Sequence, residues 1–392
     1  MSTTQPIRVG LIGLSASAVT KWASAAHLPN FQNPAGRSRY RVTALCNSSV
    51  SAAEAAIQTY KLGPDTKAYG NPEDLAADPD VDFVICNTRV DKHLETVLPS
   101  IKAGKDVYIE WPIASNTKEI RQLVEAGKAS GTKVLVGLQG RWAAPVLKIK
   151  EILDGNSVGK VLSSEVRAYG GTKDREILPV GLKYFADRGV GGNPITIGFG
   201  HVIDFVQSVV GDFIPDSVNA HFQLQRPEIR VRDPSSNEII DAIRSNVPDF
   251  LSLHGTLPAS TRVKESATLD FLFRRGQPFP SVPSLSWTLN CELGEIRLVS
   301  PSGISLQADA YHDPVTIQIH RYDTDRVEDV AWDWDDVQKE VPERARTVQK
   351  VLYAFADSRG AASGSNGCAW VEIGDAALRA AQLQSWLDGF EP

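Results

Sequence analysis

Little in this sequence could hold a fold together covalently or anchor it in a bilayer. Its 392 residues include four cysteines, Cys46, Cys86, Cys291 and Cys368, far apart and without metal-type spacing. A disulfide framework and a zinc module are therefore not indicated, and the thiols read as reduced cysteines of an intracellular protein. Cys46 and Cys86 close apolar runs and read as small strand-end residues. No window approaches the ~18 consecutive apolar residues of a membrane span. The N-terminus, MSTTQPIRVG, has no apolar leader and passes straight into a strand pattern, from which a cytoplasmic protein is expected. Lysine and arginine form no run and the net charge is −6, so direct nucleic-acid binding is not expected. HExxH and Ser–His–Asp patterns are missing too, and no metal is expected.

What is present is an alternation. The runs 7–14, 39–47, 82–88, 105–111 and 132–139 are rich in Val and Ile and read as strands. Between them, 17–32, 51–61, 91–104 and 116–129 read as helices. Strands apolar throughout and separated by helices predict a parallel sheet buried on both faces. After about residue 142 the pattern changes. A helical stripe (Val146, Ile149, Ile152, Leu153) precedes a strand ending at 170, and alternating runs follow at 217–225, 249–257, 267–276, 285–293 and 294–301. These predict a mostly antiparallel sheet with one wetter face. Segments 344–357 and 375–390 read as amphipathic helices, and 358–368 as a small, polar connection.

The fold class that follows is α/β: an N-terminal Rossmann-type doubly wound parallel sheet over 1–142, then an α+β domain with a large antiparallel sheet over 143–392. The final helix, 375–390, is free to pack back on the first domain. In GLIGLSASA (10–18), Gly13 stands at the first position of a dinucleotide fingerprint, Ser15 at the second and Ala18 at the third. The helix expected next would offer free N–H groups to an anion. The second strand ends in Asn47 and Ser48 with no carboxylate, which leans towards NADP over NAD because nothing would repel a 2′-phosphate.

Residues 84–112, with Thr88, His93, Ala103–Gly104–Lys105 and Glu110–Trp111–Pro112, resemble a segment of the Gfo/Idh/MocA oxidoreductases. So do 136–166 and 181–206, and the likeness runs in order along nearly the whole chain. The resemblance implies a hydride-transferring enzyme and a cofactor-side set of Gly13, Leu14, Ser15, Ala16, Asn47, Ser48, Asn87, Thr88, His93, Glu110, Trp111 and Pro112. It also exposes departures. The family's lysine position holds Trp111 and its aspartate position Ile197, while His201 keeps the histidine. Trp111 cannot exchange a proton usefully at neutral pH, but its face could wall a nicotinamide or substrate ring. A proton route is expected from His201, Tyr184 and Lys183, with Lys183 lowering the pKa of the acid and Asp187 or Asp204 orienting His201. Trp111, Arg141, Lys183 and His201 form the expected substrate side.

Within the family, the Glu–Trp pair, the LQGR stretch ending at Arg141 and FGHVID (199–204) resemble the branch that contains the yeast galactose-pathway repressor. Two functions follow as expectations. One is an NAD(P)-dependent oxidoreductase acting on a sugar, nucleoside-sugar or related polyhydroxylated small molecule. The other is a non-catalytic, NAD(P)-sensing transcriptional co-regulator with a protein partner, for which the nucleus is also open. A homodimer or larger assembly is expected through alternate residues of the 267–301 strands.

Overall fold

The computed structural model describes residues 5–306, 313–359 and 369–392. The chain divides into two compact units, 1–139 with 335–381, and 140–334 with 382–392. The first cut falls three residues before the expected boundary. The return of 335–381 to the first unit goes beyond the final helix that the sequence left free to pack back. Of the expected connection 358–368, only Ser358 and Arg359 are among the described residues.

The first unit is built on strands β1 (Ile7–Ile12), β2 (Tyr40–Cys46), β3 (Lys67–Tyr69), β4 (Phe83–Cys86), β5 (Asp106–Glu110) and β6 (Val134–Gly137). They lie in the order β6-β5-β4-β1-β2-β3, all parallel, and the short strand Val371–Glu372 adds antiparallel to β6. Every residue of β4 and β6 is buried, as a sheet covered on both faces requires. Side chains set the helix starts: Asn71 caps Pro72–Ala77, and Asn116 caps Thr117–Ser130, which Gly131 closes in the left-handed conformation. Helix Glu343–Arg359 joins this unit: Tyr40 donates to the Leu352 carbonyl, and Asn30 Nδ2 to that of Ala345 at 3.2 Å.

The helix expected at 17–32 is different. Residues 13–21 form turns, Ala23–His27 is a π-helical turn, and α-helix begins only at Pro29. Ser15 Oγ accepts from Ser17 N at 3.3 Å, and Lys21 sits at φ +51°. Local serine bonds of this kind compete with the helical ladder. The anion-ready helix start expected directly after the glycine turn is therefore not formed there.

The second unit holds β7 (Val161–Gly170), β8 (Ile177–Pro179), β9 (Asn219–Gln223), β10 (Glu228–Arg232), β11 (Ile239–Arg244), β12 (Phe250–Thr256), β13 (Val263–Arg275), β14 (Leu285–Cys291), β15 (Gly294–Ser300), β16 (Thr316–Arg321) and β17 (Arg326–Asp329). Eight of them form one sheet in the order β17-β16-β15-β14-β7-β13-β12-β9. Only the β7–β13 pairing is parallel. The burial of β14 alternates strictly, with Leu285, Trp287, Leu289 and Cys291 inward and Ser286, Thr288 and Asn290 on the open face. The strands β8, β10 and β11 form a separate small sheet that the sequence pattern did not announce.

Trp287 is fully buried, and its indole donates to the equally buried Ser164 Oγ at 3.0 Å. Trp287→Ala is expected to cost about 3–5 kcal/mol through the cavity, with a further loss from the unpaired hydroxyl. Urea unfolding of wild type and variant measures it.

Candidate functional site

The glycine turn at the carboxyl end of β1 is set by close backbone approach. Gly13 has φ +89°, its N–H donates to the Cys46 carbonyl at 3.1 Å, and a Cβ there would lie 3.0 Å from the Asn87 carbonyl group. Glycine alone fits without strain. Leu14 is buried, Ser15 partly exposed and Ala16 exposed. Asn87, at the end of β4, has both amide atoms shielded from solvent and without a hydrogen-bond partner. The unpartnered amide beside this close backbone approach fits a ligand with both donors and acceptors, as a dinucleotide has. Asn47 Nδ2 donates to the Leu14 carbonyl at 3.0 Å and the Ala52 carbonyl at 3.3 Å. Its donor side is thus occupied, so Asn47, placed on the cofactor side from the sequence, has no N–H left for a 2′-phosphate. Ser48 is exposed and free of that constraint.

His93 ties the next two strand ends together. Its Nδ1 faces the carbonyls of Pro112 at 3.0 Å and Ile113 at 3.2 Å, and its Nε2 that of Thr88 at 3.0 Å. Burial pushes the ring below its ordinary pKa, against the raising effect of these carbonyls and of Glu110. Both nitrogens are engaged with backbone, so His93 shapes the loops and does not present a ring atom to a cofactor. Thr88 Oγ1 lies 3.2 Å from Cys86 Sγ and 3.4 Å from Thr96 Oγ1. Glu110 ends β5; its Oε1 lies 2.5 Å from Nε2 of His27, a residue that sequence reasoning passed over as one more helix position. Trp111 is 5% exposed and joins Pro112 through a cis peptide.

In the second unit, Arg141 makes a two-pronged ion pair with the buried Asp204, Nε to Oδ2 at 2.8 Å and Nη2 to Oδ1 at 2.6 Å. That geometry fixes the guanidinium plane. Both Asp204 oxygens thus serve Arg141, and Asp187 Oδ1 caps Gly189 N at 2.9 Å. Lys150 donates to the Arg141 carbonyl at 3.2 Å. Its amine is pushed down to about 8 by burial first, then by Arg262 and Arg141. His201 is the second residue of helix Gly200–Val210, half-buried, directly after the π-helical stretch Pro194–Phe199. Short π-helical segments recur at functional sites. Gly198 lets this segment lie against the end of β7: a Cβ there would sit 3.0 Å from Gly171 Cα.

The expected Lys–Tyr–His relay needs correction at lysine. Lys183 is exposed and donates to Asp241 Oδ2 of β11 at 2.6 Å, so its charge is directed to that pair. Tyr184 meets Phe185 edge to face at 4.9 Å and packs on the cluster of Leu178, Phe185, Ala186 and Ile229. Ile197 packs on the same cluster, so the residue in the family's aspartate position has become part of a small apolar core. Metal-type groupings of His, Cys, Asp and Glu are absent among the described residues, and no described helix is long and apolar enough to cross a membrane.

Comparison with known proteins gives two family matches. Residues 7–138 match the oxidoreductase family with an NAD-binding Rossmann fold, GFO_IDH_MocA, and 145–300 match the Gal80p C-terminal domain. The chain is 32% identical over 303 residues to the dehydrogenase aclE of Aspergillus oryzae, covering 76% of this chain and 77% of that one. It is 26% identical over 307 residues to the galactose/lactose metabolism regulatory protein GAL80 of Saccharomyces cerevisiae, covering 76% and 68%. A crystal structure of a super-repressor mutant of Gal80p from Saccharomyces cerevisiae superposes with a TM-score of 0.82 at 22% identity, covering 97% of this chain and 95% of that one.

The depressed Lys150 amine has a consequence for stability. Between pH 8 and 10.5 the unfolded chain keeps a proton that the folded chain has released, so this group makes stability rise with pH across that window. Lys150→Met should remove that rise and add on the order of 1 kcal/mol at pH 7 by removing a buried charge. Urea midpoints of wild type and variant across the window check both.

Proposed function

We propose that this chain, which belongs to the Gfo/Idh/MocA oxidoreductase family and to its Gal80p-like branch, is an NADP(H)-dependent oxidoreductase acting on a ring-bearing polyhydroxylated alcohol or ketone. The observation that carries the reading is the left-handed Gly13 turn at the end of β1, packed against the Asn87 backbone, beside the unpartnered Asn87 amide. It is supported by the preserved histidine, His201, on a π-helical turn. Relatedness to a dehydrogenase over three quarters of the chain supports it as well.

The cofactor, when bound, accepts or supplies hydride at its nicotinamide C4. Gly13 and the turn after it would take the pyrophosphate, Ser48 the adenosine-ribose side, and Glu110 the nicotinamide ribose. The Asn87 amide would gain the partners it lacks. Trp111 would close the ring side as a flat apolar wall. In the oxidative direction His201 would take the proton of the substrate hydroxyl as the alcohol carbon gives up its hydride. Arg141, its plane fixed by Asp204, would orient substrate oxygens. NADP is favoured over NAD because the end of β2 carries no carboxylate. A second copy of the chain would cover the open face of the large sheet.

A second reading rests on Trp111 and Ile197. With the family's lysine and aspartate both replaced, the chain would be an NAD(P)-sensing regulator that binds cofactor and a protein partner without turnover.

Turnover separates the two. Purified protein with NADP+ or NAD+ and a panel of cyclic polyols and aldoses, followed by nicotinamide absorbance, should show multiple turnovers with one class of substrate. His201→Ala should lower kcat by about 10²–10⁴-fold, the usual worth of a general base. Cofactor binding with no turnover on any panel member would favour the regulator.

A further inference from the structure

His27, His254 and His320 each meet a carboxylate, and of these contacts His27–Glu110 is the one withdrawn from solvent, with side chains 1% and 12% exposed. His27 ends the π-helical turn Ala23–His27, in which Leu28 N donates to the Ala23 carbonyl at 2.9 Å. The wider turn matters because each residue of a regular helix rotates by about 100°, so one residue more or less in the turn would re-aim the ring. The imidazole is held on its other sides by aromatics. Tyr108 meets it edge to face at 5.2 Å and Trp22 at 6.5 Å. Its Nε2 is 2.5 Å from Glu110 Oε1, and its Nδ1 is buried without a partner.

The other oxygen of Glu110 is placed by a missing side chain. A Cβ on Gly137, the residue of β6 paired with Glu110, would lie 2.7 Å from Glu110 Oε2 and 3.0 Å from the Tyr108 hydroxyl. One carboxylate oxygen is thus tied to His27 and the second occupies room that only glycine leaves. Glutamate has three freely rotating torsions, and a strand-end carboxylate left to itself would sample many rotamers.

We propose that His27 is a positioning residue for cofactor binding: it locks the Glu110 carboxylate in the one orientation in which it can receive a ribose hydroxyl. The proposal rests on the cofactor reading above. It places a determinant of affinity on the turn before the first α-helix, 83 residues from the carboxylate that it serves.

The test is a set of titrations with NADPH and NADH, read by nicotinamide fluorescence, on wild type, His27→Ala, His27→Gln, Glu110→Gln and the double variant His27→Ala/Glu110→Gln. Melting curves report on folding. His27→Ala should weaken binding of the preferred nucleotide about tenfold, the usual worth of a hydrogen bond to a charged group. His27→Gln retains an N–H donor and should recover most of that loss. The double variant should bind no more weakly than Glu110→Gln alone, because both changes remove one interaction. A His27→Ala protein within twofold of wild type, or additive losses in the double variant, would overturn the proposal while leaving the cofactor reading intact. Wild type that binds neither nucleotide would overturn both. Should His27→Ala fail to fold, Gly137→Ala displaces Oε2 without touching the imidazole. It should show a similar loss, and unchanged binding there would equally overturn the proposal.

Discussion

The carboxyl edge of the parallel sheet depends on backbone passing within contact distance of backbone at Gly13. The Gly13 N–H reaches the Cys46 carbonyl, and its Cα side faces the Asn87 peptide so closely that a methyl group would stand 3.0 Å from it. Three strand ends, those of β1, β2 and β4, are thereby drawn to one point. Gly137 repeats the device on β6, leaving room for the Glu110 carboxylate and the Tyr108 hydroxyl. Between them His93 bridges the loops after β4 and β5 through backbone carbonyls. The edge is a frame of glycine approaches and buried imidazoles, in which the Asn87 amide is shielded from solvent and has no hydrogen-bond partner.

Two positions that carry ionisable groups in the family hold apolar side chains here. A tryptophan in the lysine position cannot carry a proton, and an isoleucine in the aspartate position has joined an apolar cluster with Tyr184. In the second unit the charged groups form a new arrangement. Asp204 holds Arg141 from the side chain and Lys150 holds the backbone of the same residue. A guanidinium held by two bonds to one carboxylate suits the recognition of oxygens more than the transfer of protons.

Much of the fold was legible because burial writes itself into strand composition. Runs such as FVIC and VLVG have no polar residue to place, so a doubly covered sheet follows. The small sheet was not legible. Its strand Ile239–Arg244 is exposed along almost its whole length and carries Asp241 and Arg244 among its isoleucines, so neither period stands out. Nor does local sequence say which unit a helix joins, and 335–359 returns to the first through long-range contacts such as Tyr40 with Leu352. Of the site, Gly13 was readable from its turn. Lys183 was misread because its partner, Asp241, is 58 residues away. His27 was invisible because AAHLPN looks like any helix, and its meaning comes from a carboxylate four strands later.

The most direct measurement of the central claim is isotopic. Protein is incubated with NADPH deuterated at nicotinamide C4 and a cyclic polyhydroxylated ketone, and the product is examined by mass spectrometry. The account predicts an alcohol carrying one deuterium on the former carbonyl carbon, formed in molar excess over protein. Unlabelled ketone recovered intact beside unchanged, protein-bound cofactor would contradict it.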